Sequence, residues 1–190
     1  RSVLAGTWNR DLFRGRELGQ KVIGLVGMGR LGTLVARMLG GFDAKVIGFD
    51  PRADFPAGAV TRVPSLALLL EQSDIVSLHV GYDASTHHLI AANELGRMRR
   101  GAFVINTSRG GVLDEQALLQ SLRSGEIAGA ALDVIEGEPH PQLAGHPLIE
   151  YARQHENLLV VPHIGGNTWE STQKTEMFIA KKLLAALVTP

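Results

Sequence analysis

At 190 residues the chain can enclose one core of good size, as a single domain or as two small ones. Its 19 basic and 19 acidic residues cancel to zero formal charge, so composition alone offers no basic surface for nucleic acid or anionic lipid. There is no cysteine, which excludes disulfides and thiolate chemistry and fits a reducing compartment.

Residues 1 to 20 mix Trp8 and Phe13 with charges and glycines and read as a lead-in, with Trp8 as a packing residue. Lys21 to Val26 is a short apolar run rich in β-branched residues, long enough for one buried strand. Gly27, Gly29 and Gly32 then form G-x-G-x-x-G, and Leu31, Leu34, Val35, Met38, Leu39 and Phe42 follow at helical spacing. The glycines therefore sit where a strand turns into a helix, as a dinucleotide requires. The first allows the tight turn, the second lets a pyrophosphate approach the backbone, and the third lets helix and strand pack closely. Free N–H groups at the helix start face the phosphates, at the positive end of the helix dipole.

A second strand, Lys45 to Phe49, ends in Asp50, 18 positions after Gly32. That is near the roughly 20-residue offset of a carboxylate that accepts hydrogen bonds from an adenosine ribose. Pro51 to Arg62 reads as a loop, Ser65 to Gln72 as a helix with Leu66, Leu69 and Leu70 on one face, and Ile75 to Val80 as the third strand. Ala91 to Arg100 is a helix stopped by Gly101, and Ala102 to Thr107 is the fourth strand. Asp114 suits the N-cap of a helix running to about Arg123, with Gly125 as its stop. Ile127 to Val134 is the fifth strand, and Gly137 to Asn157 is a long connection holding a short helix near Leu148 to Gln154. Leu158 to Val161 is the sixth strand. Asn167-x-x-Glu170 resembles a capping box and opens a helix to about Val188, with Met177, Ala180, Leu184 and Leu187 on one face.

Continuously apolar strands alternating with helices imply an α/β fold, a doubly wound parallel sheet covered on both faces. Three segments follow: a lead-in (1–20), a dinucleotide-binding domain (21–166) and a C-terminal helix (167–190). In such sheets ligands collect outside the carboxyl ends of the strands. Polar residues at those ends are Asp50, Thr107 to Arg109, Asp133 and His163, with Glu138 five positions beyond Asp133. Reduction of a ketone beside a nicotinamide needs a proton donor for the forming alkoxide, and histidine suits that task. A carboxylate at the other imidazole nitrogen would hold the ring. An arginine can polarise a carbonyl and grip a neighbouring carboxylate through two parallel hydrogen bonds. Each residue also has a plain structural reading, as a loop cation, a solvated acid or a strand-end cap.

The words around these residues narrow the choice. GMGRLG, FDP, NTSRGGVL (106–113), ALDVIEGEP (131–139) and VPHIGG (161–166) occur in this order. Together they resemble the cofactor-binding domain of the D-isomer-specific 2-hydroxyacid dehydrogenases, the group containing phosphoglycerate and glycerate dehydrogenases. The resemblance runs from about Leu18 to the last helix.

It implies a Rossmann-type NAD domain with Arg109 as the substrate-binding arginine, Glu138 as the partner of the histidine and His163 as the acid/base. Gly27, Gly29, Arg30, Leu31 and Gly32 would hold the pyrophosphate and Asp50 the adenosine ribose. Val80, Thr107, Asp133, His163 and Gly165 would line the nicotinamide side. Asp50 argues for NAD, because a carboxylate there repels a 2′-phosphate, whereas Arg52 nearby argues the other way. A cytoplasmic homodimer acting on a small 2-oxo or 2-hydroxy acid is implied as well.

Two departures stand against the family pattern. Gly81 replaces a usual proline, which predicts a looser loop through Tyr82 and Asp83. Only about 20 residues precede the first strand, where the family places a substrate domain of about a hundred. With Arg1 in place of an initiating Met, the chain is expected to be a fragment or processed product. Such a chain should bind cofactor yet catalyse poorly. The alternative reading is an NAD(H)-sensing interaction module, like the corepressors that share this fold. Partnership with nucleic acid or a membrane is not expected: no apolar run nears the roughly 20 residues of a membrane span, and no signal peptide is visible. Nor is a metal site, since the histidines lack a spacing such as H-E-x-x-H.

Overall fold

Six short, mainly apolar runs and one exposed pair of polar residues join edge to edge, and all six pairings are parallel. The computed structural model describes residues 2–52, 60–138 and 143–188. Its strands are β1 (Val22–Val26), β2 (Lys45–Phe49), β3 (Thr61–Arg62), β4 (Ile75–Leu78), β5 (Ala102–Asn106), β6 (Ile127–Leu132) and β7 (Leu158–Val160). The helices are α1 (Arg30–Leu39), α2 (Leu66–Gln72), α3 (Ala92–Arg97), α4 (Glu115–Ser124), α5 (Pro147–Gln154) and α6 (Trp169–Val188). In space the strand order is β3-β2-β1-β4-β5-β6-β7. The chain winds outward from β1 to β3, returns to lay β4 on the other side of β1, and continues to β7. The reversal between β1 and β4 is the switch point at which doubly wound sheets bind ligands.

Alternation along β1 builds the two faces of the core. Ile23 and Leu25 point into a smaller cluster with Met28, Ala36 and Val46, under α1. On the opposite face Val26 joins the larger cluster of Leu69, Leu70, Leu78, Leu118 and Leu122 beneath α2 and α4. Caps end these helices as the residue types predict. Ser65 accepts the Leu68 N–H at the start of α2. Asp114 Oδ1 accepts the N–H groups of Gln116 and Ala117, each at 3.0 Å, and Gly125 stops α4 in a left-handed conformation, φ 70°.

Several expectations are corrected. A seventh strand, β3, lies in the stretch read as loop, because Thr61 and Arg62 pair with Ile47 and Gly48 through the backbone alone. The middle of that stretch, 53–59, and residues 139–142 of the later long connection lie outside the described residues. The strand expected to run to Val80 stops at Leu78, and that expected to run to Val134 stops at Leu132. In α1 the helical period is present, but Leu31, Leu34, Met38 and Phe42 are all exposed. The helix instead approaches β1 through Gly32 and Ala36, which are small enough to let the backbones close. Trp8 is 85 % exposed rather than packed. The cap of α6 is Thr168, whose hydroxyl accepts the Ser171 N–H at 3.0 Å; Asn167 falls one residue too early. No residue from Trp169 to Leu187 is buried.

Candidate cofactor and active site

Because the strands are parallel, the loops that follow them open at one rim. At the end of β1, Gly27 takes φ 92°, and a Cβ there would fall 2.6 Å from the carbonyl oxygen of His79. A Cβ on Gly32 would fall 2.0 Å from the carbonyl oxygen of Gly27, so only glycine lets α1 start this close to the turn. At Gly29 a Cβ would meet the Arg52 guanidinium alone, at an ordinary contact distance of 3.7 Å. Two glycines thus serve packing, and the middle one leaves a hollow. No side chain caps α1 at Gly29, so the first N–H groups of the helix, from Arg30, Leu31 and Gly32, point at that hollow. An uncapped helix start beside a vacated Cβ position is the shape and polarity a pyrophosphate requires. The residues present fit a dinucleotide.

Asp50 closes the hollow from the end of β2. Its Oδ2 accepts the Met28 N–H at 2.8 Å, which ties the carboxylate to the glycine turn itself. Arg52 approaches in a fork, Nε to Oδ1 at 3.0 Å and Nη2 to Oδ2 at 2.9 Å. These guanidinium bonds, joined by the N–H groups of Arg52 and Met28 and opposed by burial, hold the Asp50 pKa down at about 2. The acid read from sequence as a ribose acceptor is therefore already engaged by a cation two residues away.

Farther along the rim, a cavity of about 620 Å³ lies between the glycine turn at Gly29 to Leu31, Val80, and Thr107 to Arg109. The loop that carries Arg109 is shaped by buried Asn106. Its Oδ1 accepts from the N–H and hydroxyl of Ser108, and its Nδ2 donates to the Arg109 carbonyl. Arg109 itself is exposed, with Nη1 2.6 Å from the Ser108 carbonyl. A Cβ on Gly110 would sit 2.0 Å from the carbonyl carbon of Ile135, so the arginine loop rests directly on the segment that leads to Glu138.

Beyond β7, His163 takes φ 51°, in the left-handed region that few residues other than glycine adopt. Asp133 holds it. The Asp133 carbonyl accepts the His163 N–H at 2.8 Å, and the carboxylate accepts the N–H groups of Ile164 and Gly165 at 2.7 and 2.9 Å. Asp133 and Gly165 thus work as the frame of the histidine loop in this structure. Thus fixed, His163 Nδ1 meets Glu138 Oε1 at 2.6 Å. The pair lines a second cavity, of about 690 Å³, with apolar walls from Ile135, Leu143, Val160 and Val161. The sequence-predicted site residues therefore stand on one rim, in the loops after β1, β2, β4, β5, β6 and β7 and in the first turn of α1.

The structure also shows groupings that sequence gave no sign of. His88, at φ 48°, pairs with Glu136 at 3.3 Å, although 48 positions separate them. His87 stacks on His88 at 3.9 Å and meets the Tyr82 hydroxyl through Nδ1 at 3.1 Å. The His88–Glu136 contact arises because the loops after β4 and β6 meet across the end of β5, which no local spacing encodes. His79 lies under the glycine turn, where burial pushes its pKa below the usual imidazole value. The loop after Val80 is tied rather than loose, which corrects the expectation drawn from Gly81. Asp83 accepts from the N–H and hydroxyl of Ser85, Thr86 Oγ1 binds the Gly81 carbonyl at 2.8 Å, and the Tyr82 ring covers Gly111. No helix among the described residues is long and apolar enough to cross a membrane.

Residues 1–165 match the family model described as D-isomer specific 2-hydroxyacid dehydrogenase, NAD binding domain. A glyoxylate reductase of Thermofilum pendens is 42% identical over 183 residues, covering 95% of this chain and 52% of that protein. A hydroxypyruvate reductase of Thermotoga maritima is 34% identical over 189 residues, covering 98% of this chain and 59% of that protein. Among solved structures, a D-lactate dehydrogenase of Aquifex aeolicus complexed with NAD and lactic acid superposes with a TM-score of 0.85 at 30% identity. That match covers 98% of this chain and 59% of the other. The chain thus spans between half and three-fifths of the length of these relatives.

Proposed function

The chain belongs to the D-isomer specific 2-hydroxyacid dehydrogenase family as an NAD-binding domain, and from that premise we propose that it serves an enzyme interconverting a 2-oxo acid and a D-2-hydroxy acid. The observation that carries this reading is the 2.6 Å contact between His163 and Glu138, on the same rim as the glycine turn and Arg109. A bound nicotinamide would supply the hydride chemistry; the chain's own residues handle the substrate's charge and its proton. Arg109, exposed at the mouth of the 620 Å³ cavity, grips the substrate carboxylate. His163 donates a proton from Nε2 to the carbonyl oxygen in reduction and takes it back in oxidation, while Glu138 holds the ring through Nδ1. The Asp133 frame keeps that imidazole from turning away. The first N–H groups of α1 bind the pyrophosphate, and apolar side chains of Ile135, Leu143, Val160 and Val161 line the 690 Å³ cavity beside the imidazole.

The relatives described above are named as reductases and dehydrogenases, and the corepressor-like alternative finds no support in them. We take the whole protein to be a cytoplasmic homodimer, in keeping with the family resemblance; sedimentation of the full protein checks the dimer.

The test is NADH oxidation by the full-length protein across a panel of 2-oxo acids. His163→Ala is expected to lower kcat on the best substrate by at least about 10²-fold, with NADH affinity retained. Glu138→Gln should lower kcat less and Arg109→Ala should chiefly raise KM. An unchanged kcat in the His163 variant, or no turnover of any 2-oxo acid, defeats the proposal.

A further inference from the structure

His87 and His88 stand side by side in the loop after β4, outside the residues assigned above to cofactor and substrate. His88 takes φ 48°, a conformation few residues other than glycine adopt, and the neighbouring loop holds it there. Its N–H donates to the Gly111 carbonyl at 2.8 Å, and the Ile90 N–H donates to that of Val112 at 3.1 Å. On the far side, the Glu136 backbone is fixed by its own N–H, which donates to Glu115 Oε1 at 2.7 Å. Two independently pinned backbones thus present His88 and Glu136 to each other, and both line a cavity of about 450 Å³.

The spacing of the side chains is informative. His88 Nε2 lies 3.3 Å from Glu136 Oε2. That is longer than the roughly 2.7–2.9 Å of a charge-assisted N–H···O bond. It matches two ligands on one tetrahedral ion, which stand roughly 3.3 Å apart when each bond is about 2.0–2.1 Å. His87 brings a third ligand atom, and the three atoms all lie within 4.8 Å of one another. The His87 ring is exposed and stacks on His88 at 3.9 Å between centroids, so a turn of that ring closes the triangle. Its Nδ1 meets the Tyr82 hydroxyl at 3.1 Å, the kind of partner that orients a metal-bound imidazole. Two imidazoles and a carboxylate suit borderline divalent ions, whereas Mg²⁺ and Ca²⁺ favour sets made of oxygen alone.

We propose that His87, His88 and Glu136 bind one divalent transition-metal ion of the Zn²⁺ class, with water in the fourth position. The ion takes the place of the proton between His88 and Glu136. It uses the one carboxylate oxygen that already faces His88 and asks nothing of the other. Once bound, it staples the loop after β4 to the loop after β6. The site stands whether or not the rim beside it takes a dinucleotide.

Calorimetric titration of the full-length protein with Zn²⁺, after a chelator has stripped it of metal, tests the site. A saturable site of one ion per chain is expected at micromolar concentrations. His87→Ala, His88→Asn and Glu136→Gln should each weaken it by about tenfold or more. Asparagine is the choice at position 88 because it tolerates left-handed backbone, and circular dichroism checks that each variant is folded. His163→Ala should keep the site, which separates it from the His163–Glu138 pair. Should a variant fold poorly, NMR of the unaltered protein decides: the ring signals of His87 and His88 should move on adding Zn²⁺ and stay in place with Mg²⁺. Absence of saturable Zn²⁺ binding overturns the proposal. So does binding that none of the three variants weakens by that factor, or ring signals of His87 and His88 that ignore Zn²⁺.

Discussion

Asp50 shows how much one side chain can be asked to do. It ties β2 to the glycine turn through Met28, and it anchors Arg52. Its pKa in the folded chain is about 2, against 3.8 for the ordinary group. A depressed folded-state value means that the ionised acid stabilises the fold at every pH above about 3.8, and that this contribution fades as pH falls from there through about 2. Acid titration of urea stability should therefore steepen below pH 4 in the unaltered chain, and Asp50→Asn should flatten that part of the curve while lowering stability at pH 7. Equal slopes for the two proteins would show that the carboxylate is not held as described. Sequence spacing located this acid and the glycine turn, because both depend on a strand end and a nearby helix start. It did not reveal that Arg52 would fold back over the acid, since a fork two residues long depends on the turn's backbone path. The His88–Glu136 pair was hidden for a related reason: it exists only where two distant loops abut.

At the scale of elements, two helices with similar caps sit in opposite surroundings. Asp114 caps α4, which buries Leu118, Leu119 and Leu122; Thr168 caps α6, which buries nothing. A cap is worth about 1 kcal/mol to the helix that carries it. That amount reaches global stability only when the helix is coupled to the core. Asp114→Ala should lower the urea-derived unfolding free energy by about 1 kcal/mol, and Thr168→Ala should leave it within about 0.3 kcal/mol while speeding hydrogen exchange in the first turn of α6. A global loss in the Thr168 variant would show that α6 is packed in solution. Strands and buried helices were legible because burial on both faces demands unbroken apolar runs. The outward face of α1 and the bare α6 misled for the same reason. Apolar periodicity marks a face that seeks cover, and it does not say whether this chain supplies it. Strand β3 left no mark at all, because two exposed residues joined by backbone bonds need no particular side chains.

For the molecule as a whole, the uncovered apolar residues of α1 and α6 meet a second fact: the two reductases similar to this chain extend well beyond the matched region. Deleting residues 169–190 should leave the thermal midpoint within about 2 °C, since no core contact is lost, and should reduce binding of a hydrophobic dye. A large fall in the midpoint would mean that α6 docks on the domain. The parallel winding carries one more consequence. Every helix that returns the chain to the next strand presents its amino end to the same rim, so small backbone dipoles add there instead of cancelling. A protein whose ionisable groups sum to nothing is in this way made electrically lopsided by topology alone, with its attractive pole where a doubly charged dinucleotide must land.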